Sequence, residues 1–94
     1  SFDAVFAASD SMAVGVIQRL QRSGVRVPED VVVAGFDDSG LAADFEPALT
    51  TMRQPWERIG SEMVAMLLDV IDGGAGRTLT LPTELVVRES APRA

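Results

Sequence analysis

Three aspartates stand where this chain can assemble side-chain chemistry. Asp10 follows the apolar run Ala4-Val5-Phe6-Ala7-Ala8, and Asp37 and Asp38 follow Val31-Val32-Val33-Ala34-Gly35-Phe36. Carboxylates accept charge-assisted hydrogen bonds from adjacent hydroxyls or from a base edge, and clustered carboxylates can hold magnesium. The remaining inventory narrows that choice. The chain has no histidine and no cysteine, and all eight basic residues are arginine. Without histidine there is no common general base and no nucleophile–histidine pair. Without cysteine, disulfides and thiolate metal sites are excluded. Without lysine, a phosphoacceptor aspartate lacks the usual partner for phosphoryl charge. The set suits a polar ligand site, with no enzyme activity, metal or cofactor expected.

The elements that must position these aspartates follow from the hydrophobic pattern. Ala4 to Ala8 reads as a strand buried on both faces. Ser9 or Asp10 then caps a helix, in which Ala13, Val16, Ile17 and Leu20 form one apolar stripe. Gly24 suits a left-handed C-terminal cap, and Pro28 stops continuation. Val31 to Phe36, β-branched and apolar, is the clearest strand. Strand, helix and strand in this order make a right-handed parallel βαβ unit. Both strands then end at the same edge, where open α/β sheets bind ligands.

Downstream, residues 37–45 read as a loop and short helix closed by Pro47, and Leu49 to Met52 as a short extended segment. Pro55 opens a long helix reaching about Asp72, with Ile59, Met63, Met66, Leu67, Val70 and Ile71 on one face. Glycines 73, 74 and 76 end it, and Leu79 to Val87 alternates as a final strand, with Pro82 hinting at an edge. Burying those six side chains would contribute on the order of 10 kcal/mol. The other elements are too few and short to cover them, so this helix is expected to pack on material absent from the chain.

Composition sets outer limits. Ninety-four residues, 47% of them hydrophobic, suit one small domain or part of a larger one. No apolar run approaches the roughly 20 residues of a membrane span. A net charge of −6 disfavours any grip on a phosphate backbone. The start at Ser1 suggests a processed or cut product.

Five stretches, taken in order, resemble the C-terminal part of lactose/galactose-repressor family regulators. They are 4–13 (AVFAASDSMA), 24–31 (GVRVPEDV), 35–38 (GFDD), 49–55 (LTTMRQP) and 81–90 (LPTELVVRES). The resemblance implies an α/β fold, the C-terminal subdomain fragment of a type I periplasmic-binding-protein-like core. It implies residues 1–53 as a strand–helix–strand core with a crossing strand, 54–76 as a helix packing on the absent N-terminal subdomain, and 77–94 as final strand and tail. The function implied is sensing of a sugar or purine-like effector, and dimerisation, within a cytoplasmic transcriptional repressor. Operator DNA would be reached only through an absent helix-turn-helix head. The fragment is expected as a homodimer or helix-exchanged oligomer, away from membranes. The alternative is part of a periplasmic sugar-binding protein serving a transporter.

The resemblance also assigns residues. Asp37 matches the family aspartate that contacts effector; the plainer role is a turn cap. Ser9 stands where the family often has an effector-contacting asparagine, and serine is shorter with fewer donors. Asp38 either meets ligand, neutralises an arginine or caps the short helix, and Asp10 reads as a helix cap or loop brace. Gln54 either reaches the cleft or ties the hinge. Trp56 either stacks on a sugar or purine ring or anchors the long helix. Val14 and Phe45 match positions near the family's dimer interface, or belong to the core.

Overall fold

The order of elements follows the hydrophobic pattern closely. In a computed structural model of the chain, which describes residues 3–93, it is β1 (Ala4–Phe6), α1 (Asp10–Arg22), β2 (Val32–Ala34), α2 (Gly40–Asp44), β3 (Thr51–Arg53), α3 (Trp56–Ile71) and β4 (Glu84–Val86). The chain forms two units, residues 1–53 with 84–94 and residues 54–83. The second therefore runs past Gly76, to Thr83.

In the first unit β1 and β2 are parallel, with Ala4 opposite Val32 and Phe6 opposite Ala34. Single parallel bridges, Ala34 to Thr50 and Asp37 to Arg53, join the β2 side to β3. β4 runs antiparallel to β3, pairing Thr51 with Val86 and Arg53 with Glu84. The strands of the parallel part thus end at one edge, as the βαβ reading requires.

Helix α1 crosses between β1 and β2. Ser9 is its N-cap, with Oγ accepting the Met12 N–H at 3.2 Å, and so satisfies a free first-turn donor. Ser23 is the C-cap, and Gly24 follows with φ +79°, where a side chain would be strained. Ala13 and Ile17 of the apolar stripe are fully buried, with Val33 and Leu49 in the same core cluster, and Val16 and Leu20 pack against it.

Two strand expectations need correction. β1 is not buried on both faces: Ala4 and Phe6 are exposed, Phe6 by 67%, while Val5 packs toward the core. Alternate residues of a strand face opposite ways, and α1 covers only one of those faces. The final strand is also shorter than its alternation suggested, with only residues 84–86 in a ladder. Pro82 has no N–H to donate to one.

The second unit is α3 and the segment after it. No α3 residue is buried. Its half-buried positions are Ile59, Glu62 and Met66, which with Gln54, Met63, Leu79 and Leu81 line a cavity of about 260 Å³. Met63, Val64, Leu67, Leu68, Val70 and Ile71 are all largely exposed. Apolar residues therefore occupy more of the helix than the single face read from the pattern.

Candidate functional site

The loops after β1 and β2 are tied together by backbone first. Asp10 N–H donates to the Phe36 carbonyl at 3.0 Å, Gly35 N–H to Thr50 at 2.9 Å, and Asp37 N–H to Met52 at 2.9 Å. These bonds bring the sequence positions 10, 37 and 38 to one edge of the first unit. Each aspartate then does something different there.

Asp10 is 1% exposed. Its Oδ1 accepts the Thr51 hydroxyl at 2.6 Å, and Oδ2 accepts the Ser39 N–H at 2.7 Å and the Ser39 hydroxyl at 3.2 Å. With Ser9 as the cap, Asp10 sits in the first turn of α1, where a negative charge is favoured. Its carboxylate joins α1, the loop after β2 and β3. This close approach explains Gly35: a Cβ there would lie 2.7 Å from Asp10 Oδ1, 3.0 Å from Leu49 Cδ2 and 3.2 Å from Ala13 Cβ.

Asp38 is enclosed by two arginines. Arg53 Nε donates to Oδ2 at 2.6 Å, and Arg88 Nη1 to Oδ1 at 2.8 Å. Burial pushes the Asp38 carboxyl up, but hydrogen bonds from Arg88 and then Arg53, reinforced by their charges, outweigh it, and the net shift is downward. The same hydrogen bond and charge hold the Arg53 guanidinium above its usual value. Of the readings open for Asp38, arginine neutralisation is the one with partners in the structure. Both of its oxygens are engaged.

Asp37 and Asp38 both take positive φ, 121° and 56°. Asp38 lies in the left-handed region that aspartate tolerates. Asp37 lies outside it, in a conformation costing about 1–3 kcal/mol. Strain of this kind persists only where the surroundings over-determine it, and such places cluster at ligand sites. Asp37 is half-buried.

The other candidates are placed as follows. Ser9 is half-buried beside Asp10, and its oxygen already accepts the Met12 N–H. Gln54 and Trp56 belong to the second unit, Gln54 half-buried and Trp56 56% exposed at the start of α3. Val14 is buried at 8% exposure, and Phe45 packs against the core cluster. Among the described residues, no three acidic side chains converge as a metal site would need.

Sequence reasoning did not single out Arg53, Arg88, Ser39, Thr51 or Gly35. Arg53 lies 15 residues from Asp38, Thr51 41 residues from Asp10. No local spacing links such pairs. The one available signal was Asp38 itself, a second carboxylate in a loop that needs neutralising.

The profile of the periplasmic binding protein-like domain matches residues 2–91. The HTH-type transcriptional regulator CelR of Thermobifida fusca is 50% identical over 90 residues, 94% of this chain and 26% of that protein. The lactose operon repressor of Rhizobium radiobacter is 39% identical over 92 residues, 97% of this chain and 81% of that sequence. Among solved structures, a CelR–cellobiose complex matches with TM-score 0.91 at 49% identity, over 95% of this chain and 28% of that one. The lac repressor dimer bound to operator and an anti-inducer matches with TM-score 0.86 at 36% identity, over 96% and 32%. The chain spans about a quarter of the length of CelR.

Proposed function

The chain belongs to the periplasmic binding protein-like domain family, in its lactose/galactose-repressor branch, and from that membership we propose that it is the effector-sensing C-terminal part of a DNA-binding repressor's core. The observation that carries this reading is Asp37, an aspartate at φ 121° held at the shared edge of the strands. A carboxylate at that edge is chemically able to accept hydrogen bonds from sugar hydroxyls. A sugar is the effector class we propose, with cellobiose the first to try because a CelR regulator 49% identical to this chain has been solved in complex with it.

Ser9 joins Asp37 in the proposed ligand set on the first unit. The Ser9 hydroxyl still has its proton to give while its oxygen serves the cap. In the second unit Gln54 and Trp56 are proposed ligand contacts in their own right, the exposed indole of Trp56 offering a face to a sugar ring. Asp38 supports the site through its arginines, and Asp10 braces it from beneath. Half-buried Phe45 and the surface around the buried Val14 mark the proposed dimer contact. The proposed role is binding, without catalysis.

The mechanism proposed is population shift. Effector bridges this edge and the partner half of the cleft, favours the closed form, and changes how two DNA-binding heads of a dimer are spaced. Helix α3, apolar and unburied, is the element proposed to pack on that other half. By itself the chain neither binds operator nor holds effector tightly. A regulator of this kind acts in the cytoplasm.

Reading the coding DNA immediately upstream of Ser1 tests this. An open frame beginning with a basic helix-turn-helix supports the regulator. A signal peptide in that place would make the chain part of a transporter's binding protein and end the DNA-linked mechanism.

A further inference from the structure

Arg88 lies 50 residues beyond Asp38 in sequence, yet its guanidinium ends on that loop. Nη1 donates to Asp38 Oδ1 at 2.8 Å and to the Leu49 carbonyl at 3.0 Å. The backbone beneath it is pinned. Arg88 N–H donates to Thr50 Oγ1 at 2.8 Å, and the Thr50 hydroxyl donates to the Arg88 carbonyl at 3.0 Å. Two residues on, the fully buried Ser90 hydroxyl donates to the Val33 carbonyl at 2.6 Å. The Arg88 side chain is 17% exposed, against 49% for Arg53. Of the two arginines gripping Asp38, Arg88 is the better anchored.

Two consecutive aspartates at positive φ need restraint from outside the turn. The Asp37 N–H donates to the Met52 carbonyl at 2.9 Å. The Asp38 N–H has only a long bond of 3.4 Å to Thr51 Oγ1. The Asp38 carboxylate holds the turn by charged hydrogen bonds from two separate segments, through Arg53 and Arg88.

We infer that Arg88 is a positioning residue of the effector site: by fixing Asp38 it keeps the strained turn that aims Asp37, without touching effector itself. This rests on the reading that Asp37 binds effector. The C-terminal segment is thereby coupled to the site.

Backbone NMR of the 94-residue chain, with cellobiose as probe, tests this in the Arg88→Gln and Asp38→Asn variants. Asp38→Asn removes the charge and one acceptor oxygen from the same contact but leaves the Thr50 and Ser90 stitches alone, so it serves if Arg88→Gln fails to fold. In both, the HN–Hα couplings of residues 37 and 38 should lose their positive-φ signature. Ala13, Ile17 and Val33 should keep their resonances, and cellobiose affinity should fall about tenfold, the loss of one charged hydrogen bond. Arg88→Lys should restore part of both. Residues 37 and 38 keeping positive φ in both variants would overturn the inference. An Asp37→Asn chain separates the two failures. If it binds cellobiose as the parent does, the effector reading falls; if it binds weakly while Arg88→Gln binds normally, the positioning role falls.

Discussion

The buried carboxylate of Asp10 accepts the Thr51 hydroxyl at 2.6 Å, joining the first turn of α1 to β3. The same carboxylate takes both donors of Ser39, so one side chain ties three segments. Replacing it by alanine leaves the buried Thr51 hydroxyl and the Ser39 N–H without their acceptor. Asp10→Ala should cost about 2 kcal/mol, or roughly 8–16 °C of Tm in a domain this small. Thermal unfolding by circular dichroism checks it; an unchanged Tm would contradict the brace.

Gly35 follows from that brace. A methyl group at this position meets Asp10 Oδ1 at 2.7 Å, and the carboxylate is held by three donors and has no easy retreat. Gly35→Ala should destabilise by about 1–3 kcal/mol. In an Asp10→Ala background the tightest of the three clashes is gone. The second loss should then be smaller than the first, a coupling that a double-mutant cycle reads directly.

Asp38 gives a pH dependence with a definite sign. Its folded pKa is depressed below the unfolded value of about 3.9, so the native state binds this proton less readily than the unfolded chain. Its stabilisation is present above that value and fades as pH falls through the lower, folded one. The parent should therefore lose stability against Asp38→Asn below about pH 4, the two curves converging in acid. Parallel curves from neutral to acid pH, followed by urea unfolding, would contradict the ion pairs.

Helix α3 predicts association. Met63 is 65% exposed and Leu67 58% exposed on a helix with no buried residue. Exposed apolar area of this extent favours self-association of the isolated chain, by helix exchange among other routes. Light scattering should show oligomers at micromolar concentration, moved toward monomer by Met63→Glu with Leu67→Glu. A clean monomer in the parent would contradict it.

The βαβ core was legible because period and punctuation agreed: Ser9 before the stripe, Gly24 after it, then a β-branched strand. The edge where Asp10, Asp37 and Asp38 meet follows from that topology alone. What those carboxylates do there did not follow. The partners of Asp10 and Asp38 come from β3 and the C-terminal segment, and no periodicity relates positions so far apart in sequence. The exposure of Phe6 was hidden for a similar reason, since an apolar triplet reads as buried whether or not a layer covers both faces. On α3 the apolar stripe was visible, but not that Val64 and Leu68 widen it beyond one face.

The central claim is that the edge around Asp37 binds a sugar. Titrating the ¹⁵N-labelled 94-residue chain with cellobiose, beside its Asp37→Asn variant, tests this most directly. The account predicts weak, saturable shifts centred on Ser9 and Asp37, and at least tenfold weaker binding in the variant, the loss of a charged hydrogen bond. Shifts centred elsewhere, or equal binding by parent and variant, would contradict it.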